Sequence, residues 1–108
     1  MIKLNSTEDI DFFIQKNNIA VLYFGNSSCG VCEALLPKFK DLLVKFPNVK
    51  SAYVEIEDVK KSMAKYSIFT IPVILLYVEQ QEVLREARFI SINDIEDKIQ
   101  RIIKLYEG

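Results

Sequence analysis

The only two cysteines of this 108-residue chain, Cys29 and Cys32, are separated by two residues and follow an apolar run. A helical pattern begins at the same place, which puts both thiols in the first turn of a helix. Side chains three positions apart in a helix have β-carbons about 5–6 Å apart. This is close to the separation that a disulfide requires, so the bond could form and break without large backbone movement. The spacing therefore indicates dithiol–disulfide redox chemistry.

The two thiols should differ in exposure and in role. Cys29 stands at the N-terminal end of the helix, where unpaired backbone N–H groups and the helix dipole favour a thiolate. Cys32 lies one turn further in, at the start of the apolar stripe. We therefore expect Cys29 to be the attacking nucleophile. Cys32 would be the resolving thiol that displaces a mixed disulfide.

Two other interpretations of the cysteines were weighed. Cys32 alone could be a small buried hydrophobic residue. A structural disulfide between positions 29 and 32 would close a very short loop and contribute only about 2 kcal/mol. A zinc site needs four ligands, whereas the chain has two cysteines and no histidine. Redox chemistry is favoured over both, and we expect no bound metal.

Bulk composition excludes several classes of partner and location. The formal net charge is −1, which gives no electrostatic basis for binding nucleic acid or an anionic membrane. The N-terminus, MIKLNSTEDID, lacks the basic start and apolar region of a signal peptide. The uncharged stretch at residues 67–78 is too short to span a bilayer and contains Pro72. We expect a cytoplasmic protein, in which a permanent structural disulfide would be unusual.

Hydrophobic periodicity predicts alternating strands and helices. The predicted elements, in chain order, are a strand at 2–4, a helix capped by Ser6, a buried strand at 19–24, a long helix from Cys32 through Pro37 to Phe46, a strand at 51–56, a short helix carrying Val59, Met63 and Tyr66, strands at 72–78 and 82–90 joined by a tight connection, and a helix from near Ser91. Alternation followed by a hairpin and a helix indicates an α/β protein. The sheet should be mainly parallel with one antiparallel edge and helices on both faces. We expect a single domain over residues 1–108.

The motifs together resemble the thioredoxin family. The sequence CGVC follows a buried strand, Pro37 comes five residues after the second cysteine, and Thr-Ile-Pro stands at residues 70–72. A lone Cys-Xaa-Xaa-Cys is a weak signal, but its combination with an Ile-Pro pair about forty residues later is specific. The resemblance implies a thioredoxin-like fold with a five-stranded mixed sheet in the order first, third, second, fourth, fifth.

The resemblance also implies an activity and a site. Cys29 and Cys32 would be the catalytic pair of a thiol–disulfide oxidoreductase that reduces protein disulfides. Pro72 would be cis and face the cysteines, and the backbone of Ile71 would pair with the substrate chain. The other substrate-binding residues would be Gly30, Val31 and Thr70.

The same resemblance implies partners and leaves an alternative open. The protein would need no bound cofactor beyond the redox-active disulfide, and a reductase of the thioredoxin-reductase type would recharge it. Its substrates would be proteins that contain disulfides. The alternative is a thioredoxin-like binding or adaptor module whose cysteine pair is vestigial or regulatory.

Two departures from the family pattern flank the cysteines. Thioredoxins usually carry a tryptophan before the first cysteine, but this chain has Ser28 there and no tryptophan at all. Serine is a good N-cap, so we expect Ser28 to cap the helix. The usual proline between the cysteines is Val31, a change in the pair of residues that tunes the reduction potential in this family.

A third departure lies inside the sheet. The family's buried aspartate falls on Tyr23, and its lysine partner aligns with Tyr53. A phenol with a pKa near 10 is a poor general base at neutral pH. Tyr23 is therefore interpreted as a core residue, and resolution by Cys32 would either run more slowly or use another base. Glu33 and Glu57 are the candidates that the sequence suggests.

Overall fold

The computed structural model describes all residues, 1–108, as a five-stranded sheet with four helices. The elements in chain order are β1 (Ile2–Leu4), α1 (Thr7–Lys16), β2 (Ile19–Gly25), α2 (Gly30–Leu43), β3 (Lys50–Glu55), α3 (Lys61–Lys65), β4 (Val73–Val78), β5 (Gln81–Ala87) and α4 (Ile92–Glu107). The α/β class, the mixed sheet and the order of elements predicted from the sequence are confirmed.

The strand order across the sheet is β1-β3-β2-β4-β5, as the resemblance implied. β1, β3 and β2 are parallel, because a helix connects each strand to the next one along the chain. β4 runs antiparallel to β2, and β5 pairs antiparallel with β4. The hairpin turn consists of Glu79 and Gln80, both with positive φ (49° and 70°), a conformation that suits a tight two-residue turn.

Each face of the sheet is covered by two helical segments. Because side chains alternate along a strand, Ala20, Leu22 and Phe24 of β2 point to one face, where they pack with α1 and the segments around α3. Val21 and Tyr23 point to the other face and pack with α2 and α4. This explains why β2 is buried along its whole length and is continuously apolar in sequence.

Local capping signals set most helix boundaries. The hydroxyls of Ser6 and Ser91 accept hydrogen bonds from backbone N–H groups three residues on, at 3.0 and 3.3 Å, as the sequence predicted. α2 continues through Pro37, also as predicted, but ends at Leu43 rather than Phe46. The half-buried Phe46 still packs against the core face that α2 covers. The apolar periodicity therefore runs past the end of the helix because Phe46 packs against the core, although it is no longer helical.

Candidate active site

The cysteine pair lies where the central strand β2 passes into helix α2. β2 ends at Gly25, a four-residue loop follows, and α2 begins at Gly30. Cys29 is the N-cap of α2, and its Sγ accepts a hydrogen bond from the backbone N–H of Cys32 at 3.2 Å. The prediction that Ser28 caps the helix is therefore wrong. The loop places Ser28 one residue too early, with its backbone N–H bonded to Asn26 Oδ1 at 2.8 Å.

The two sulfurs occupy different environments. Cys29 is half-buried, Cys32 is 2% exposed, and both are free thiols in this structure. Burial raises the pKa of the Cys32 thiol to about 12, with a further rise from its hydrogen bond with Cys29; a backbone hydrogen bond with Asn26 acts in the opposite direction. Cys32 is therefore protonated at neutral pH. It needs a proton acceptor before it can act as a nucleophile.

Tyr23 lies directly beneath the first turn of α2. Its fully buried ring packs against Phe39 and Tyr53, with centroids 5.8 and 6.0 Å away, and its hydroxyl donates to the carbonyl oxygen of Cys32 at 2.7 Å. Burial raises the pKa of Tyr23 far above its ordinary value, with the Cys32 sulfur contributing. The residue in the place of the family's aspartate is thus a neutral donor that anchors the backbone of Cys32.

Gly25 allows Cys32 and the rings of Tyr23 and Tyr53 to lie close together. A β-carbon on Gly25 would lie 3.3 Å from Cys32 Cβ, 3.3 Å from Tyr23 Cε1 and 3.4 Å from Tyr53 Cε2. The two tyrosine atoms adjoin the ring carbons that bear the hydroxyls. The hydroxyl ends of both rings therefore converge on the space above Gly25 beside Cys32, where a β-carbon would make tight contacts.

A buried carboxylate, which the sequence reasoning missed, completes the cluster. Glu55 is the last residue of β3, lies opposite Gly25 in the sheet and is 8% exposed. Its Oε1 accepts hydrogen bonds from the backbone N–H of Ser27 at 2.9 Å and from the hydroxyl of Tyr53 at 3.1 Å. By contrast, the two candidate bases named from the sequence, Glu33 and Glu57, are both exposed. The signal that could have identified Glu55 is its place at the carboxyl end of a parallel strand beside the motif.

The Thr-Ile-Pro segment lies at the same edge of the sheet as the cysteines. Phe24 of β2 pairs with Val73 of β4, so Pro72 leaves the sheet beside the start of the cysteine loop. The Ile71–Pro72 peptide bond is cis, as the resemblance implied. Pro72 is buried, while Thr70 and Ile71 are partly exposed.

An apolar surface adjoins the cysteine pair. Val31, between the cysteines, is 61% exposed, and Phe89, in the connection between β5 and α4, is 97% exposed. Together with Leu35 and Ile90 they line a shallow pocket of about 410 Å³. Gly30 is exposed beside Val31 and has no neighbouring side chain within 4 Å of its missing β-carbon. Large exposed apolar side chains next to the partly exposed Cys29 suit contact with another polypeptide.

Comparison with known proteins places this geometry in a family. The thioredoxin family model matches residues 1–103. The chain belongs to the thioredoxin family. It is 38% identical over 108 residues to the thioredoxin-like protein YdfQ of Bacillus subtilis, covering 100% of this chain and 96% of that protein. It is also 30% identical over 96 residues to a thioredoxin of Chlamydia pneumoniae, covering 89% and 90% of the two chains.

Solved structures agree with this assignment. The chain is similar to thioredoxin of Fasciola hepatica with a TM-score of 0.85 and 25% identity, covering 94% of this chain and 98% of the other. Thioredoxin of Trypanosoma brucei brucei shares the fold with a TM-score of 0.87 and 19% identity, over 96% and 91% of the two chains.

Family and cysteine pair together support thiol–disulfide oxidoreductase chemistry in general. Thioredoxins act through a redox-active disulfide and need no other cofactor. The structure contains no group of three His, Cys, Asp or Glu side chains placed to hold a metal ion. None of its helices is both long and apolar enough to cross a membrane.

Proposed function

We propose that this protein reduces disulfides in other proteins through the Cys29–Cys32 dithiol. The observation that carries the proposal is the geometry of the pair: the half-exposed Cys29 sulfur caps α2 and accepts the Cys32 N–H, while Cys32 is buried one turn behind. A sulfur that accepts a hydrogen bond at a helix N-terminus is stabilised as a thiolate. Cys29 is thus placed to attack the substrate, and Cys32 is placed to act in the second step.

The reaction proceeds in two exchanges. The Cys29 thiolate attacks one sulfur of the substrate disulfide, forms a mixed disulfide and expels the other substrate sulfur as a thiolate. Cys32 then loses its proton and attacks Cys29 Sγ, which releases the second substrate thiolate. The substrate disulfide gains two electrons, and the dithiol becomes the Cys29–Cys32 disulfide.

The surroundings of the pair fit a polypeptide substrate. Val31 and Phe89 offer apolar contact, and Gly30 leaves the approach to Cys29 open. In this proposal the partly exposed backbone of Thr70 and Ile71 pairs with the substrate chain, and Pro72 forms the floor of the groove. A reductase of the thioredoxin-reductase type would return the disulfide to the dithiol, and the reducing cytoplasm is the proposed setting.

Alkylation of the reduced protein tests the inequality of the two thiols. Iodoacetamide should modify Cys29 rapidly and Cys32 slowly, because Cys29 is partly exposed, whereas Cys32 is buried and its pKa is raised. Peptide mass mapping at successive times separates the two rates, and full labelling of both thiols in denaturant is the control. Equal, slow labelling would favour the adaptor module with a vestigial pair.

Reduction of insulin by dithiothreitol, followed by turbidity, then tests the activity itself. The protein should accelerate the reaction, and Cys29→Ser should abolish the acceleration because the attacking sulfur is lost. A Cys29→Ser variant as active as the parent protein would contradict the proposal.

A further inference from the structure

Glu55 is a buried carboxylate that has hydrogen bonds to only one of its two oxygens and has no cationic partner. Its Oε1 accepts two hydrogen bonds, but its Oε2 is buried and has no hydrogen-bond partner. It takes part in none of the five ion pairs of the protein. A half-satisfied carboxylate inside a protein is costly, and an unpaired buried polar atom calls for an explanation.

The hydrogen-bond partner of this carboxylate, Tyr53, borders the same space above Gly25 as the resolving cysteine. Tyr53 lies two residues before Glu55 on β3, so both side chains point to the face that α2 covers. The Tyr53 hydroxyl donates to Glu55 Oε1, while the adjacent ring carbon and Cys32 Cβ both lie within 3.4 Å of the space above Gly25. The hydroxyl that is bonded to the carboxylate therefore belongs to a ring that lies near Cys32 Cβ, across the space above Gly25.

We propose that Glu55 is the proton acceptor for Cys32 in the resolving step and receives the proton through the Tyr53 hydroxyl. The inference deepens the proposed function and rests on it. It supplies the base that is missing where Tyr23 replaces the family's aspartate.

Resolution of the mixed disulfide consists of a proton relay followed by thiol–disulfide exchange. The Cys32 thiol gives its proton to the Tyr53 oxygen, and Tyr53 gives its own proton to Glu55, so the tyrosine stays neutral. The Cys32 thiolate attacks Cys29 Sγ of the mixed disulfide. The new S–S bond forms as the bond from Cys29 to the substrate breaks, and the electron pair leaves on the substrate sulfur. Glu55 returns its proton to solvent when the product departs.

The other ionisable groups around Glu55 do not fit this role. The groups whose charges act on Tyr53 or on Tyr23 are Glu55, Cys29, Cys32, Glu33 and Tyr53 itself, and Glu57 lies in the exposed loop after β3. Burial and the Glu55 hydrogen bond raise the pKa of Tyr53, which keeps it a neutral relay and not a final acceptor. The Tyr23 hydroxyl donates a hydrogen bond to the backbone carbonyl of Cys32, and Glu57 Oε1 accepts one from Asn26 Nδ2 at 3.2 Å in the solvent-exposed loop.

Ellman's reagent separates the two steps in one stopped-flow experiment. Attack by Cys29 releases one thionitrobenzoate and leaves a mixed disulfide, and resolution by Cys32 releases a second. Thionitrobenzoate is a good leaving group that needs no acid, so the second release reports on deprotonation of Cys32. The variants are Glu55→Gln, which keeps an acceptor oxygen for its two donors, and Tyr53→Phe, which keeps the ring. Glu57→Gln and Glu33→Gln are matched comparisons.

The expected result is a selective loss in the second release. Glu55→Gln and Tyr53→Phe should slow it about 100-fold at neutral pH, the lower end of what a positioned base contributes, and leave the first release unchanged. In Glu55→Gln the rate should rise about tenfold per pH unit from about pH 7 to 10, because Cys32 must then ionise unaided. The parent protein should show a much flatter profile, so the gap should close as the pH rises.

Several outcomes would overturn the inference. Unchanged resolution in Glu55→Gln, or selective slowing in Glu57→Gln or Glu33→Gln, would move the base elsewhere. Unchanged resolution in Tyr53→Phe would rule out the route through the hydroxyl. A slowdown equal at every pH would show a structural role only. Absence of the first release in the parent protein would instead refute the proposed function, and the inference with it.

Discussion

The hydroxyl of Tyr23 offers a direct test of how the sheet supports helix α2, which carries the cysteines. Tyr23→Phe removes only the donor to the Cys32 carbonyl, a hydrogen bond of 2.7 Å between buried groups. The ring keeps its packing against Phe39 and Tyr53. The carbonyl also keeps the N–H of Leu36 as its helical partner, so no buried acceptor is left without a bond.

These facts set the size of the effect. A typical intramolecular hydrogen bond contributes about 0.5–1.5 kcal/mol net, so we expect a loss of about 1 kcal/mol in the free energy of unfolding. For a chain of this length that corresponds to a fall of roughly 5 °C in Tm. Because the chain has no tryptophan, far-UV circular dichroism in urea and on heating is the suitable assay.

Tyr77→Phe is the matched control, since the Tyr77 ring also packs partly buried against the core but its hydroxyl has no protein partner. It should change stability by less than about 0.5 kcal/mol. Equal effects of the two substitutions would refute the anchoring role of Tyr23. A loss above about 3 kcal/mol would also refute the reasoning, because it would mean that the Cys32 carbonyl has no other partner.

Two further predictions concern the same cluster. Because burial, and then the Cys29 hydrogen bond, raise the pKa of Cys32 from 9.0 to about 12, its contribution to stability is complete below pH 9 and is lost as the pH rises towards 12. The loss in the free energy of unfolding is at most about 4 kcal/mol, and less after screening by solvent near Cys29. Urea unfolding of the reduced protein and of Cys32→Ala at pH 8–11 should show that stability falls more steeply with pH in the parent protein. Parallel falls in the two proteins would contradict the prediction. Gly25→Ala should destabilise by about 1–3 kcal/mol because its β-carbon would press on Cys32 at 3.3 Å. Gly30→Ala, in open space within α2, should raise the stability of the protein by up to about 1 kcal/mol. A lower urea midpoint for Gly30→Ala than for Gly25→Ala would show that the packing above Gly25 is misjudged.

Much of the fold follows from local patterns in the sequence. The continuous apolar run of β2 requires burial on both faces, and the serines at positions 6 and 91 cap α1 and α4 as their spacing predicts. Boundaries were less certain where tertiary contacts extend a pattern: Phe46 continues the apolar periodicity of α2 but lies beyond its end. The strand order needed more than local patterns and came from the resemblance to thioredoxins.

The sequence by itself determined which atoms can do chemistry. Two thiols one helical turn apart after a buried strand already indicate a redox pair, because their spacing along the chain is also their spacing in the helix. Only the tertiary structure decided that Cys29 caps that helix, since the cap depends on where the loop after Gly25 turns.

Only the tertiary structure, likewise, revealed the carboxylate. Ser27 and Glu55 are 28 residues apart in the chain and meet because β2 and β3 end side by side. In sequence Glu55 and Glu57 look equivalent, both acidic and both near the end of a strand. Burial distinguishes them, because Glu55 lies within β3 and bonds to the loop after β2, whereas Glu57 lies in the exposed turn beyond the strand, a difference that no local pattern in β3 encodes.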